Sequence, residues 1–211
     1  MCTVKSMSIK LLYGTGNSAK LQSMCRGLSR LNVEILGLND MGRPIPNVKE
    51  IGNSPMENAR IKAEAYFEYY GVPVFSCDSG LYFDGVPSDE QPGIHVRNVN
   101  GKCLSDEEMI SHYSALAVRY NNPVGRYLNA ICLIMDREHI YSSMDDSLAT
   151  NPFILVSEPH PARNKGFPLD SLSVDINTGK YYYDLGAQMV DTSVIEVGVA
   201  GFLSDVLGIK G

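Results

Sequence analysis

Ile9-Lys10-Leu11-Leu12-Tyr13-Gly14-Thr15-Gly16-Asn17-Ser18-Ala19-Lys20 is the stretch that decides how this chain is read. Its apolar start, Ile9, Leu11, Leu12 and Tyr13, has the pattern of a buried strand. Gly14 and Gly16 let the backbone turn sharply at little steric cost. Behind the turn, Leu21, Met24, Cys25, Leu28 and Leu31 recur at helical spacing. Strand, glycine turn and helix follow one another. The first N–H groups of such a helix are unpaired and lie at the positive end of its dipole. That end takes anions, phosphate above all, and Thr15, Asn17 and Lys20 add a hydroxyl, an amide and a cation. The stretch is not a Walker A loop, because the Gly-Lys-Ser/Thr ending is missing. It does fit Gly-x-Gly-x-x-Ala, with Glu34 near the distance of a ribose-binding acid, so a dinucleotide-binding turn stays open at this point.

The chain around this stretch has 211 residues, 44% hydrophobic and 20% charged, the balance of an ordinary globular protein. No apolar run is long enough to span a bilayer and the N-terminus lacks the apolar core of a signal peptide, so a cytoplasmic location without membrane partners is expected. The five cysteines are odd in number and form no Cys-x-x-Cys pair, against a disulfide framework or a zinc cluster. His95, His112, His139 and His160 are scattered without ligand spacing. Net charge is −6 with no basic patch evident, which argues against nucleic acid as a partner. An anionic substrate then needs a few placed cations or a divalent metal.

Further along, Val33–Leu38 reads as a second strand and Asn39–Lys49 as a loop. Ser54 with Glu57 makes a capping box and Pro55 takes the first helical position, which predicts a helix to about Tyr70, stopped by Gly71. Ile61, Ala65 and Tyr69 lie along one face of it. Asn58 and Lys62, four apart, share another face. Val72–Cys77 is an apolar strand that delivers Asp78-Ser79-Gly80 at its carboxyl end. A loop runs through Gly101, and a second capping box, Ser105 with Glu108, opens a helix to about Tyr120. Its stripe is Met109, Tyr113, Leu116 and Tyr120. Tyr127–Met135 and His139–Met144 read as strands, followed by a short strand around Ser171–Ile176 and a final helix over Val199–Leu207. No repeat, low-complexity tract or domain linker breaks the chain, so residues 1–211 read as one domain.

Three polar sites thus follow three turns: Thr15–Lys20, Glu50 and Asp78-Ser79. Two carboxylates beside a phosphate-binding turn suggest a Mg²⁺–phosphate site, since Mg²⁺ takes one or two carboxylates with substrate phosphates and water. A metal-bound or carboxylate-activated water then has phosphorus to attack.

These residues resemble those of the inosine triphosphate pyrophosphatase family, house-cleaning enzymes that hydrolyse aberrant purine nucleoside triphosphates. Thr15-Gly16-Asn17-Ser18-Ala19-Lys20 matches the family's Thr-Gly-Asn-x-x-Lys. Glu50-Ile51-Gly52 and Glu57-Asn58-Ala59 match its Glu-x-Gly and Glu-Asn-Ala, and Lys62-Ala63 its helical Lys-Ala. Cys77-Asp78-Ser79-Gly80 matches Asp-Asp-Ser-Gly, and Pro92-Gly93-Ile94-His95 matches Pro-Gly-Val-Tyr. Gly166-Phe167-Pro168-Leu169-Asp170 looks like a worn Gly-Phe-Gly-Tyr-Asp, and Thr178-Gly179-Lys180 like a worn Gly-Lys-Thr. The match is ordered from residue 9 to about 101 and weak beyond.

The resemblance implies an α/β fold with an elongated mixed β-sheet, flanking helices and two lobes around a central cleft, usually as a homodimer. It implies Mg²⁺-dependent hydrolysis of a nucleoside triphosphate to nucleoside monophosphate and pyrophosphate. Thr15, Gly16, Asn17, Lys20, Lys62 and Ser79 would hold the triphosphate, with Lys20 also offsetting charge during attack. Glu50 would coordinate Mg²⁺, and Asp78 would be the metal-linked acid or base that orients water. Arg97 falls where some members place a phosphate-binding lysine. Phe167 would stack on the base, with Asp170 nearby. The chain departs from the pattern at Cys77, which replaces an aspartate, and at Leu169, which replaces an aromatic residue. It also departs at Asp191–Gly198, where the purine-reading Ser-His-Arg has no counterpart and the region shows Ile195, Val197 and, just after it, Val199. The phosphate half is kept and the base half rebuilt. That leaves two other readings: a nucleotide-binding protein that has lost catalysis, and an oxidoreductase built on the Gly14-x-Gly16 turn.

Overall fold

Ile9–Tyr13 forms β1, and both of its faces are buried in the computed structural model, which describes residues 8–185 and 194–209. Leu11 and Tyr13 point to one face and Leu12 to the other, each 3% exposed or less. A strand covered on both sides reads as a continuous apolar run, the signature of parallel sheet. β1 lies between β2 (Val33–Gly37) and β3 (Val74–Phe83), parallel to both.

The chain divides into two compact units, neither a continuous piece. Unit 1 comprises Met1–Ser79, Asn129–Ala149 and Ser193–Gly211, and unit 2 comprises Gly80–Leu128 and Thr150–Thr192. In unit 1 the strand order is β2-β1-β3 and then β6 (Val124–Ile134), with β7 (Ile140–Ser143) antiparallel to β6. Helices α1 (Ser18–Gly27) and α4 (Val194–Leu207) cover the face of Leu11, Tyr13, Ile131 and Leu133. Helix α2 (Pro55–Tyr70) covers the face of Leu12, Ala130, Cys132 and Ile134. It presents Ala59, Ala63, Tyr66 and Tyr70 to the sheet; the line through Ile61, Ala65 and Tyr69 borders that buried face and does not form it. Ser54 caps α2, accepting from the Glu57 N–H at 3.2 Å, and Gly71 ends it at φ 68°, as the sequence predicts.

Unit 2 packs α3 (Asp106–Arg119) through Met109, Ile110, Tyr113, Leu116 and Ala117 against Leu81, Phe83, Phe153 and Leu155. Here β6 pairs with β8 (Phe153–Leu155), which pairs with β9 (Ser173–Asp175), both antiparallel, while β4 (Asn98–Val99) and β5 (Lys102–Cys103) make a small hairpin. The Ser105 capping box forms in full. The expected α/β class with a mixed sheet is what the chain adopts. No helix among the described residues is long and apolar enough to cross a membrane.

Two expectations are corrected. β3 does not stop at Cys77 but runs on to Phe83, so Asp78 and Ser79 lie within a strand and not after it. Leu81 and Phe83 extend the apolar alternation into the unit 2 core and carry the strand past its polar middle. The last helix starts at Val194, five residues before the predicted Val199. Its 3.6-residue period packs Ile195, Val199 and Leu203 on the unit 1 core and leaves Val197 67% exposed. Val199 is therefore a core residue and does not line the rebuilt base half, and Ile195 packs partly buried against the same core. The rest of the stretch expected to replace Ser-His-Arg, residues 191–193, lies outside the described residues.

Gly14 closes β1, its N–H donating to the Phe75 carbonyl at 2.8 Å. A Cβ there would sit 2.1 Å from Ser76 Oγ and 2.6 Å from Tyr66 Cδ2. Ser76 is fully buried and Tyr66 7% exposed, so neither side chain has room to give way. Gly14→Ala is expected to cost about 1–3 kcal/mol of overpacking. That is a fall of about 2–12 °C in melting temperature for a chain of this size. An unchanged melting curve by calorimetry would remove this account of Gly14.

Candidate active site

The turn after β1 is built from within. Asn17 is the N-cap of α1, and its Oδ1 accepts from the N–H groups of Ala19 (2.9 Å) and Lys20 (3.2 Å). Thr15 Oγ1 accepts from the Asn17 N–H at 3.2 Å. Several first-turn amides thus already have partners, and Thr15 and Asn17 shape the turn as much as they offer groups to a ligand. Gly16 and Lys20 stand exposed at its rim.

Glu50 comes from the loop before α2, and its position has a specific cause. Asn58, 3% exposed, accepts the Gly52 N–H on Oδ1 at 2.9 Å, and Glu57 Oε2 accepts the Asn53 N–H at 2.7 Å. A Cβ on Gly52 would meet Glu57 Cβ at 2.7 Å and Asn58 Oδ1 at 2.8 Å. The Glu-x-Gly and Glu-Asn-Ala pieces are therefore two sides of one clamp, which pins the loop carrying Glu50 onto the start of α2. Nothing local in the sequence marks Asn58 as the anchor.

One turn further along α2, Lys62 Nζ donates to Asp78 Oδ1 at 2.7 Å and to Glu50 Oε2 at 3.3 Å. The Lys62 and Asp78 side chains are 12% and 13% exposed, Glu50 45%. Two carboxylates from separate elements thus converge on one cation. Beside them burial pushes the Cys77 thiol up to about 12, against the pull of Lys20, a hydrogen bond with Tyr13 and the pull of Lys62. Cys77 is consequently a neutral thiol at physiological pH, not a charged ligand. Thr15, Gly16, Asn17, Lys20, Glu50, Lys62, Asp78 and Ser79 all belong to unit 1.

Arg97, Phe167 and Asp170 belong to unit 2. They line a cavity of about 180 Å³ with Tyr127 and Met109. Phe167 is 56% exposed. Burial raises the Asp170 carboxyl above its ordinary value, opposed by a hydrogen bond with Asn164. Burial, and then the charge of Asp170, raises the Tyr127 phenol. No motif in the sequence marks Tyr127. Arg97 does not stand free: its guanidinium donates to the Leu104 carbonyl and to Asp106. Glu34, the acid expected of a dinucleotide site, is the second residue of β2 and pairs with Lys10 at 3.2 Å. A ribose-binding acid belongs at the carboxyl end of that strand.

No three His, Cys, Asp or Glu side chains cluster into a metal cage among the described residues. Two carboxylates already gathered on a cation nonetheless suit Mg²⁺, which needs few protein ligands when phosphates and water supply the rest.

Comparison with known proteins identifies the family. A dITP/XTP pyrophosphatase of Oceanobacillus iheyensis is 30% identical over 101 residues, 48% of this chain and 50% of that protein. One of Methylococcus capsulatus is 32% identical over 109 residues, 52% of each. The chain thus spans about half the length of these curated relatives. The structure of a HAM1 protein from Coxiella burnetii superposes with a TM-score of 0.74 at 21% identity, covering 95% of this chain and 98% of that one, which bears on the fold alone. The model of the Ham1 family matches residues 11–149, which takes in the turn, Glu50, Lys62 and Asp78, and on that span the chain belongs to the Ham1 family.

Proposed function

We propose that this chain hydrolyses nucleoside triphosphates to nucleoside monophosphate and pyrophosphate, with aberrant purine nucleotides as the natural substrates. The observation that carries the reading is the meeting of Glu50 and Asp78 on Lys62, in the unit that also holds the Thr15–Lys20 turn. The names of the relatives, dITP/XTP pyrophosphatases, support it. In this reading Lys20 and Lys62 bind triphosphate oxygens, and Lys20 offsets the charge that builds on the reacting phosphoryl group. Asp78 orients water and takes its proton as the water oxygen bonds to the α-phosphorus and pyrophosphate leaves. Glu50 and Asp78 would hold Mg²⁺, which when bound neutralises phosphate charge and lowers the pKa of coordinated water. The base would stack on Phe167, with Asp170 nearby. A cytoplasmic homodimer without nucleic-acid or membrane partners belongs to the same reading, supported by the family resemblance and the net charge of −6.

The test is a panel of nucleoside triphosphates with Mg²⁺, assayed for pyrophosphate. Pyrophosphate from inosine and xanthosine triphosphates, abolished by EDTA, is expected. Activity undiminished in EDTA would remove the metal, and binding without turnover would turn the reading to a nucleotide-binding protein that has lost catalysis.

A further inference from the structure

Asp106, the first residue of α3, has a separate task for each carboxylate oxygen. Oδ1 accepts from Arg97 Nη2 at 2.8 Å, and Oδ2 accepts from the Gly166 backbone N–H at 2.9 Å. Arg97 is braced in turn, since its Nη1 donates to the Leu104 carbonyl at 2.9 Å. Gly166 immediately precedes Phe167, and α3 ties the same loop once more through Glu107, which pairs with Arg163 at 3.4 Å.

The Phe167 ring is not held by burial, being 56% exposed. Its backbone is held instead, by Asp106 one residue before it and by the Asn164 carbonyl, which accepts the Phe167 N–H at 2.9 Å. The ring borders the 180 Å³ cavity, whose lining also includes Asp170 and Tyr127. An exposed aromatic face beside a carboxyl and a phenol suits a flat heteroaromatic group, which gains from stacking whatever its identity and finds polar partners at its edge.

We propose that Asp106 is a positioning residue for nucleobase binding, fixing Gly166 and so the Phe167 ring at this cavity, and that Arg97 acts through Asp106 and not on phosphate. This rests on the nucleoside triphosphate reading above. A salt bridge that merely staples the start of α3 would leave base binding untouched, and a phosphate-binding Arg97 would affect any polyphosphate. Inorganic tripolyphosphate has the phosphate chain and no base, so it separates the cases.

The unsubstituted enzyme, Asp106→Ala, Asp106→Asn and Arg97→Gln are compared for kcat and KM with inosine triphosphate and for inhibition by inorganic tripolyphosphate. Losing part of a stacking contact corresponds to about a tenfold rise in KM for Asp106→Ala and Arg97→Gln, with kcat and the tripolyphosphate inhibition constant unchanged. Asp106→Asn keeps one acceptor and the helix start. Its KM rise should be smaller, and it carries the test should the alanine variant fail to fold. Unchanged KM in the variants, or equal weakening of inosine triphosphate and tripolyphosphate, overturns the positioning role alone. Failure of the unsubstituted enzyme to turn over any nucleoside triphosphate while still binding tripolyphosphate overturns the functional reading, and this inference with it.

Discussion

Replacing Asp78 by asparagine should abolish most pyrophosphate release while the chain stays folded. The substitution keeps the size of the side chain and an oxygen that accepts from Lys62, whose ammonium lies 2.7 Å from Asp78 Oδ1. Lys62 also keeps Glu50 as a counter-charge at 3.3 Å. What disappears is the negative charge and the capacity to take a proton from water. A positioned acid–base group contributes about 10²- to 10⁴-fold, and the fall in kcat should lie in that range. Steady-state pyrophosphate release and thermal melting, measured together, decide the matter. Near wild-type kcat with a normal melting curve would exclude Asp78 from the chemistry. Loss of the fold would instead mark the Lys62–Asp78 pair as structural, because removing one partner of a nearly buried pair leaves the other uncompensated.

The elements around the candidate phosphate turn are legible in the sequence because their signals are local. A glycine turn between an apolar strand and an amphipathic stripe, and a Ser-Pro-x-Glu helix start, are fixed by residues within a few positions of one another. β1, α1, α2 and α3 lie close to where those signals put them. Motif and chemistry together suggest the meeting of Glu50 with Asp78. The clamp that produces it, Asn58 on the Gly52 amide, depends on a close approach that no periodicity reports. β3 reads short because Asp78 and Ser79 look like the end of a strand, whereas the strand carries them between two buried segments. β8 escapes a sequence reading because its three residues, just after Pro152, give no periodicity to read. In unit 2 the ties that order the Phe167 loop join residues about sixty positions apart, and Asp106 has only its helix-start role to show in sequence. The same holds for Arg97, whose charge suggests phosphate while its hydrogen bonds run to Asp106 and Leu104.

Gly16→Ala should leave the fold as stable as before and still lower the proposed triphosphate hydrolysis sharply. Unlike Gly14, Gly16 meets no atom of the described residues beyond its two chain neighbours within 4 Å of where a Cβ would stand. Its φ is not positive either, so its backbone is open to other residues. Neither packing nor conformation within the chain asks for glycine there. Gly16 lies between Thr15 and Asn17, whose side chains shape the turn, at the amino end of α1. A glycine that the protein does not need is accounted for by something outside it coming close to the backbone, as phosphate does at such turns. Where the conformation is compatible, Gly→Ala stabilises by about 0.4–1 kcal/mol through the unfolded chain. The melting temperature should therefore hold or rise by about 1–4 °C. A methyl group in the path of the triphosphate would displace it by about an ångström, and a misplacement of that size costs about 10²-fold in rate. The expected result is thus opposed in sign: equal or greater stability by calorimetry, and kcat/KM for nucleoside triphosphate lower by about two orders of magnitude. Full activity in a stable Gly16→Ala variant would show that phosphate does not approach this turn, and the anion site would have to be sought around Lys62 alone.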